Sequence, residues 1–374
     1  MKVLMKTTFV LSILIILLTG CTQKNIKQSS DIVVFQSGSD GYQTFRIPAL
    51  IKAPNGDLLA FCEGRVNNEL DAGDIDLVMR RSKDNGKSWG KLKIIWDDNK
   101  NTCGNPAPVV DYETGEVFLV MTWNLGSDHE SDIIAGKSKD SRRVFITSSS
   151  DNGNIWMTPH EITMDVKKNN WTWYATGPVH GIQKVTEPNK GRLIIPCDHS
   201  NFIDKKYYSH IIYSDDHGKN WSLGGITPQG DVNECTIAEL ADGKLLLNMR
   251  NYDREYNCRK VSYSMDGGLT FADIRSDMTL IEPVCQAAML TTNFEGKDIL
   301  LFSNPASQEN RLNMTVKISL DGGESWSYSK LVYSGQSAYS DMVVLDNSKI
   351  GLLYEKDDYQ KIAFSILDLK KIIK

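Results

Sequence analysis

The sequence is short of the residues that organise redox and metal chemistry. It holds seven cysteines and six histidines in 374 residues. No CxxC, Cys/His or HExxH spacing joins them into a zinc or redox motif. No glycine-rich loop follows a strand-like run, so a phosphate cradle is not indicated. Positive charge is scarce too. Lys and Arg number 42 against 47 Asp and Glu, a net charge of −5 without a basic cluster, which argues against nucleic acid as a partner. No Pro/Ser-rich linker divides the chain. The apolar run Phe9–Leu18 is about ten residues long, too short to span a bilayer as a helix.

That short run has a different meaning. Lys2 and Lys6 precede it, and Leu18-Thr19-Gly20-Cys21 follows. A basic start, a short apolar stretch and small residues before a cut describe a signal peptide. The tetrad resembles a bacterial lipobox, which implies lipidation of Cys21 in the mature chain. Residues 22–30, TQKNIKQSS, are polar and read as a flexible tether. The expected organisation is a lipoprotein signal peptide over 1–20, lipidated Cys21 and tether over 21–30, and one folded domain over 31–374. The expected location is the bacterial envelope, periplasmic or at the cell surface, through that lipid. The remaining cysteines sit in apolar runs such as AFCEG and IIPCD and read as buried thiols, although export permits disulfides.

A repeat organises the folded part. SKDNGKSW (82–89) recurs as SSDNGNIW (149–156), SDDHGKNW (214–221), SMDGGLTF (264–271) and SLDGGESW (319–326). Asp and Gly make a tight turn, since Gly tolerates positive φ and Asp bonds nearby backbone amides. The terminal aromatic packs back onto a sheet. Strand-like runs precede each turn: DIDLVMRRS, RVFITSSS, YSHIIYS, CRKVSYS and MTVKIS. Starts separated by 67, 65, 50 and 55 residues suggest one four-stranded blade per repeat. Residues 31–374, divided by roughly 55 per blade, predict a six-bladed, all-β propeller with one blade lacking the turn. The C-terminal IAFSILDL is expected to close the ring beside the N-terminal DIVVFQS. Two stacked β domains are the alternative.

The repeated turn resembles the Asp-box of sialidases, and the resemblance covers essentially all of 31–374. In that family the boxes lie away from the active face and serve stability. The more specific likeness is in FRIP (45–48). Arg46 stands there among apolar neighbours, where burying it is costly unless an anion meets it. Arg250 in LLLNMRN and Arg311 in ENRLNMTV stand in matching family contexts. The resemblance implies that these three arginines grip the carboxylate of sialic acid, a task suited to forked guanidinium donors. Glu355 in LLYEKDDY matches the glutamate that holds the first arginine.

Further roles follow from the same resemblance. Tyr339 in GQSAYSDM matches the catalytic tyrosine, and Glu234 in NECTIAEL its partner base. Sialidases are the tyrosine exception among retaining glycosidases. A carboxylate nucleophile would be repelled by the substrate carboxylate on the anomeric carbon. A neutral phenol avoids this but needs a base within reach. In EGRVNNELDAGDIDL (63–77), Asp71 fits the acid/base best, Arg65 is expected near the substrate C4 hydroxyl, and Asp74 and Asp76 read as structural. Asn105 is expected near the same edge. Asp128, His129, Asp198 and His199 are weaker candidates for the N-acetyl or glycerol side.

The implied activity is exo-α-sialidase hydrolysis of terminal sialic acid with retention, through a tyrosyl-enzyme. It needs no cofactor or metal, acts on sialylated glycans and is expected from a monomer. A trans-sialidase or intramolecular trans-sialidase on the same scaffold is the near alternative. A non-catalytic sialoglycan-binding lipoprotein is the alternative of another class. It should lose Tyr339, Glu234 or Asp71, and all three are present.

Overall fold

A computed structural model describes residues 31–373. Cys21 and the expected signal peptide and tether lie outside the described residues. The chain opens with β1 (Ile32–Gln36). The first blade is β2 (Thr44–Lys52), β3 (Leu58–Arg65), β4 (Ile75–Ser82) and β5 (Lys93–Trp96). The second is β6 (Thr102–Asp111), β7 (Glu116–Asn124), β8 (Arg143–Ser149) and β9 (His160–Glu161), with helix α1 (Glu130–Ala135) inserted before β8. Helix α2 (Thr163–Val166) leads into the third blade. There β10 (Trp171–Thr176) and β11 (Ile182–Gln183) share the inner position, both pairing with β12 (Leu193–Asn201). β13 (Tyr207–Ser214) and β14 (Ser222–Ile226) complete it. The fourth blade is β15 (Val232–Glu239), β16 (Leu245–Asn251), β17 (Cys258–Ser264) and β18 (Arg275–Ile281).

The last two blades share a strand. β19 (Ala288–Phe294), β20 (Lys297–Pro305), β21 (Leu312–Ser319) and the first half of β22 (Tyr328–Asp346) make the fifth. The second half of β22 begins the sixth, followed by β23 (Lys349–Lys356) and β24 (Lys361–Asp368). A short α3 (Leu369–Ile372) ends the described chain. The fourth strand of the sixth blade is β1, antiparallel to β24 with Ile32 opposite Phe364. This gives six groups of four strands, as the repeat spacing predicted.

The ring closure explains why only five boxes occur. Every box is the turn from the third to the fourth strand of its blade. In the sixth blade the fourth strand comes from the other end of the chain, so that turn is not needed. Asp31 locks the join, accepting from Tyr354 Oη at 2.7 Å, Lys356 Nζ at 2.6 Å and the Ser365 hydroxyl.

All five boxes share one geometry. In the first, Ser82 Oγ accepts from Gly86 N at 2.8 Å, and Asp84 accepts from Ser88 N at 2.9 Å and Ser88 Oγ at 2.6 Å. Glycine is required for two reasons. Gly86 has φ +84°, and a Cβ there would lie 2.0 Å from Phe364 of the sixth blade. Gly218 repeats this against Phe118 of the second blade at 2.2 Å. The box glycine is therefore a point where one blade rests on the preceding one.

Blades are covered on both faces, so the inner strands are buried almost throughout: TFRIPALIK, TCGNPAPVVD and VNECTIAE. The core lies between blades. Phe118, Val120, Leu193, Ile195, Ile212 and Trp221 join the second to the third, and Leu50, Ala60, Val78, Leu353 and Phe364 join the sixth to the first. Each such large side chain contributes about 1.5–3 kcal/mol on burial. The six described cysteines are buried and unpaired.

Candidate active site

The strands alternate in direction, so boxes ending the third strands lie at the opposite end from the starts of the first. The arginines cluster at the end where the first strands start: Arg46 near the start of β2, Arg250 near the end of β16 and Arg311 just before β21. Inner strands would normally run regularly, yet five carry a register shift near this end: at Arg46/Ala49, Gly104/Ala107, Trp171/Tyr174, Val232/Cys235 and Ser337/Ser340. A bulge re-aims side chains and ends pairing. Pro48 and Pro106 sit within two of these bulges, where the missing N–H breaks no ladder. Ile47 and Asn105 have φ of 64° and 52°, and left-handed backbone is costly for a β-branched residue such as Ile47.

Buried glutamates satisfy the amides that these kinks free. Glu355 Oε1 accepts from Ile47 N and from Arg46 Nε, each at 2.8 Å, and Oε2 accepts from Tyr339 N at 3.2 Å. Glu63 Oε1 accepts from Asn105 N at 2.9 Å, while Oε2 accepts from Arg65 Nε at 3.0 Å and Nη2 at 2.6 Å. Glu282 does the same for Cys285 N and for Arg259 Nη1. In each case one carboxylate fixes a left-handed bend or its neighbour and an arginine together.

Tyr339 stands at the centre. Its hydroxyl donates to Glu234 Oε1 at 2.5 Å, and Arg250 Nη1 lies 2.6 Å from Glu234 Oε2 and 3.1 Å from the same hydroxyl. The guanidinium carbons of Arg46 and Arg311 lie 5.8 and 5.6 Å from the Tyr339 ring centroid. Burial and Glu234 push the phenol well above its usual range, against the pull of Arg250 and Arg311. The phenol is thus neutral at rest, and its proton has one carboxylate within reach. One step below, Asp341 accepts from Leu50 N at 2.8 Å, His180 N at 3.0 Å and His180 Nδ1 at 2.6 Å. That buried carboxylate pins strands of the first, third and sixth blades together beneath the tyrosine.

Asp71 lies on the β3–β4 loop with its side chain 67% exposed, 2.7 Å from Arg65 Nη2. Desolvation by the residues crowded around it works to raise its carboxyl, but Arg65, Arg46 and Arg142 outweigh it and hold the group below the usual carboxylate range. Arg65 itself is buried, engaged by Glu63, the Glu69 carbonyl and Asp71. Asn105 accepts from Thr122 Oγ1 at 3.0 Å and from Arg142.

Three of the four weaker candidates lie off the pocket surface. Asp198 and His199 are fully buried; His199 stacks on Trp171 at 3.4 Å, and Asp198 accepts from Asn233 Nδ2 at 2.8 Å. Asp128 is buried, accepting from Asp140 N at 2.9 Å. His129 is exposed where α1 begins. Asp76 is structural, accepting from Tyr42 Oη at 2.6 Å.

The family profile described as BNR repeat-like domain matches residues 56–352. A sialidase of Bacteroides fragilis (strain YCH46) is 32% identical over 96% of this chain and 68% of its own length. The chain belongs to the sialidase family. An exo-α-sialidase of Aspergillus fumigatus is 33% identical over 85% of this chain and 80% of its own. A solved Hadza microbial sialidase superposes with a TM-score of 0.83 at 31% identity, over 91% of this chain and 69% of that one. An intramolecular trans-sialidase from Ruminococcus gnavus, at 19% identity and a TM-score of 0.76 over 91% of this chain and 98% of its own, shares the fold.

The sialidase scaffold here also uses residues that sequence reading missed. Glu63 had a signal available, because it lies two before Arg65 on one strand and shares its face. Arg142 had none: it is fully buried, donating to Asn124, Asn105, Thr122 and the Tyr174 carbonyl, with Trp173 stacked at 4.0 Å. Tyr359 lies 3.9 Å from the Arg46 guanidinium.

Proposed function

We propose that this sialidase-family glycoside hydrolase is an exo-α-sialidase of retaining mechanism. The observation that carries the reading is the Tyr339–Glu234 hydrogen bond of 2.5 Å, set among Arg46, Arg250 and Arg311. Three guanidiniums around one small pocket suit a single carboxylate, because forked donors bind it directionally. Terminal sialic acid of glycoproteins, glycolipids or sialyl-oligosaccharides supplies that group on its anomeric carbon.

The steps balance as follows. Tyr339 oxygen attacks the anomeric carbon while its proton passes to Glu234, and Asp71 gives its proton to the departing glycosidic oxygen. Water then attacks, Asp71 takes a proton from it, and the tyrosine oxygen leaves and recovers its proton from Glu234. Arg250, within 3.1 Å of the reacting oxygen and 2.6 Å of the base, is placed to stabilise charge developing between them. Asp71 must leave Arg65 to reach the leaving group, and its exposure on a loop supports that movement. Arg65 and Asn105 then face the substrate's C4 side.

Purified protein incubated with α2,3- and α2,6-sialyllactose and followed by NMR tests this. Free sialic acid appearing first as the α anomer is expected. Release as the β anomer would overturn retention, and transfer to an acceptor or an anhydro product would overturn hydrolysis. Export and lipid attachment at Cys21 belong to the same reading, supported by the Leu-Thr-Gly-Cys signature. Membrane retention of Cys21→Ala would refute the anchor.

A further inference from the structure

The geometry points to Tyr359 as a positioning residue that sets the distance between Arg46 and Arg311, and with it the affinity for the substrate carboxylate. The inference rests on the reading of those arginines as the carboxylate site.

Its ring lies 3.9 Å from the Arg46 guanidinium carbon, and its hydroxyl 3.3 Å from Arg311 Nη1. One side chain therefore touches two like charges, a face for one and an oxygen for the other. The arginines need such a spacer, because guanidiniums converging on one point repel. Arg46 has Glu355 at 2.8 Å and Arg250 has Glu234 at 2.6 Å. Arg311 has no carboxylate partner among the described residues. Its fixed contacts are the Val284 carbonyl at 3.1 Å and the Tyr359 hydroxyl.

The backbone gives an independent reason. Asp357, Asp358 and Tyr359 have φ of 54°, 53° and 61°, three successive left-handed residues, none of them glycine. Glycine would adopt this conformation without the steric cost. Strain held at a side chain that contacts a site is a pointer to function. Surrounding bonds hold the bend. Tyr359 O accepts from Ser37 Oγ at 2.8 Å and Thr44 Oγ1 at 3.4 Å, Asp357 N donates to Gln336 O at 3.0 Å, and Asp357 pairs with Lys361 at 2.8 Å. The ring packs on one side against the small buried cluster of Ile47, Cys285, Ala338 and Tyr339. A cavity of about 280 Å³, lined by Arg311, Gln336, Glu355, Lys356 and Tyr359 among others, adjoins it. That packing and the bonds to its carbonyl fix the ring, so it can act as the spacer between the two arginines.

Tyr359→Phe keeps the ring over Arg46 and removes the oxygen from Arg311; Tyr359→Leu removes both contacts. Both variants are to be compared with the wild-type chain in melting temperature, in kcat and KM on sialyllactose, and in inhibition by an unsaturated sialic acid analogue and by its carboxamide. Losing one hydrogen bond to a charged group raises KM by about tenfold, with kcat nearly unchanged, as for uniform binding. Tyr359→Leu is expected to lose more. Both penalties should appear with the carboxylate inhibitor and vanish with the carboxamide. Wild-type KM in the Phe variant, or equal penalties on both inhibitors, overturns the role. So does a lower melting temperature at unchanged KM, which makes the ring a packing element. A wild-type enzyme indifferent to the carboxamide change would instead overturn the arginine reading itself, and this proposal with it.

Discussion

Glu355 Oε1 accepts hydrogen bonds from Arg46 Nε and from Ile47 N, both at 2.8 Å. One buried oxygen thus fixes an arginine and the strained backbone unit that carries it. Glu355→Gln removes the charge and replaces one acceptor with a donor. Breaking one partner of a buried ion pair costs about 3–5 kcal/mol. The variant should melt well below the wild type and show a raised KM. Unchanged stability in a thermal melt would show that Arg46 finds its compensation elsewhere.

On the proposed mechanism, Tyr339→Phe should leave the fold intact and collapse turnover, because it removes the oxygen that forms the covalent intermediate. A fluorinated sialosyl donor that traps the intermediate should label the wild-type peptide GQSAYSDM. Labelling of the peptide holding Glu234 or Asp71, read by mass spectrometry, would reassign the nucleophile.

The pH profile follows from Asp71. Its carboxyl is held below the usual range in the empty site, with Arg65 and Arg46 outweighing desolvation. In the proposed role of acid it works only while protonated, so kcat/KM, which reports the free enzyme, should fall as pH rises through that depressed value. A substrate carboxylate on Arg46 cancels part of the depression. The falling limb of kcat should therefore lie at higher pH than that of kcat/KM. Coincident limbs would remove Asp71 from the acid's role.

The boxes should matter to stability and not to chemistry. Hydrogen bonds from Ser88 and Ser82 lower the Asp84 carboxyl to about 2. Its stabilising contribution is present above the unfolded value of about 3.9 and is lost as pH falls through the folded one. Asp84→Ala should lower the melting temperature near neutrality with kcat unchanged. The gap from the wild type should close between about pH 4 and pH 2. A gap independent of pH would mean that the ionised carboxylate is not what holds the turn.

What was legible depended on whether a contact is written locally. The boxes are local: Ser, Asp, Gly and the aromatic meet within one turn, so five repeats announce five blades and their spacing announces the sixth. That Arg46, Arg250, Arg311, Tyr339 and Glu234 would meet was legible through the short motifs around them. Arg142 and Tyr359 were not, because their partners come from segments distant in sequence: Asn105, Thr122 and Asn124 within the blade and Tyr174 of the next for Arg142, and Arg46 and Arg311 of other blades for Tyr359. His199 shows the opposite case. A histidine at a strand end looked available to a ligand, but the stack of Trp171 against it closes it off. The left-handed bends at Ile47, Asn105 and Val284 also escape reading, since the glutamates that hold the first two, Glu355 and Glu63, lie in the adjoining blade.

The join between β1 and β24 has a mechanical consequence. The ring is a clasp in which the first strand is the tongue, and the site is wired to it. Ser37, immediately after β1, holds the Tyr359 carbonyl and the Gln360 carbonyl. β1 cannot leave the sixth blade without breaking the Asp31 contacts and the Ser37 bonds to the bend that carries Tyr359. The residue that follows the clasp's tongue therefore also holds the bend whose side chain lies between Arg46 and Arg311, so closing the ring and shaping that corner of the site draw on the same few bonds.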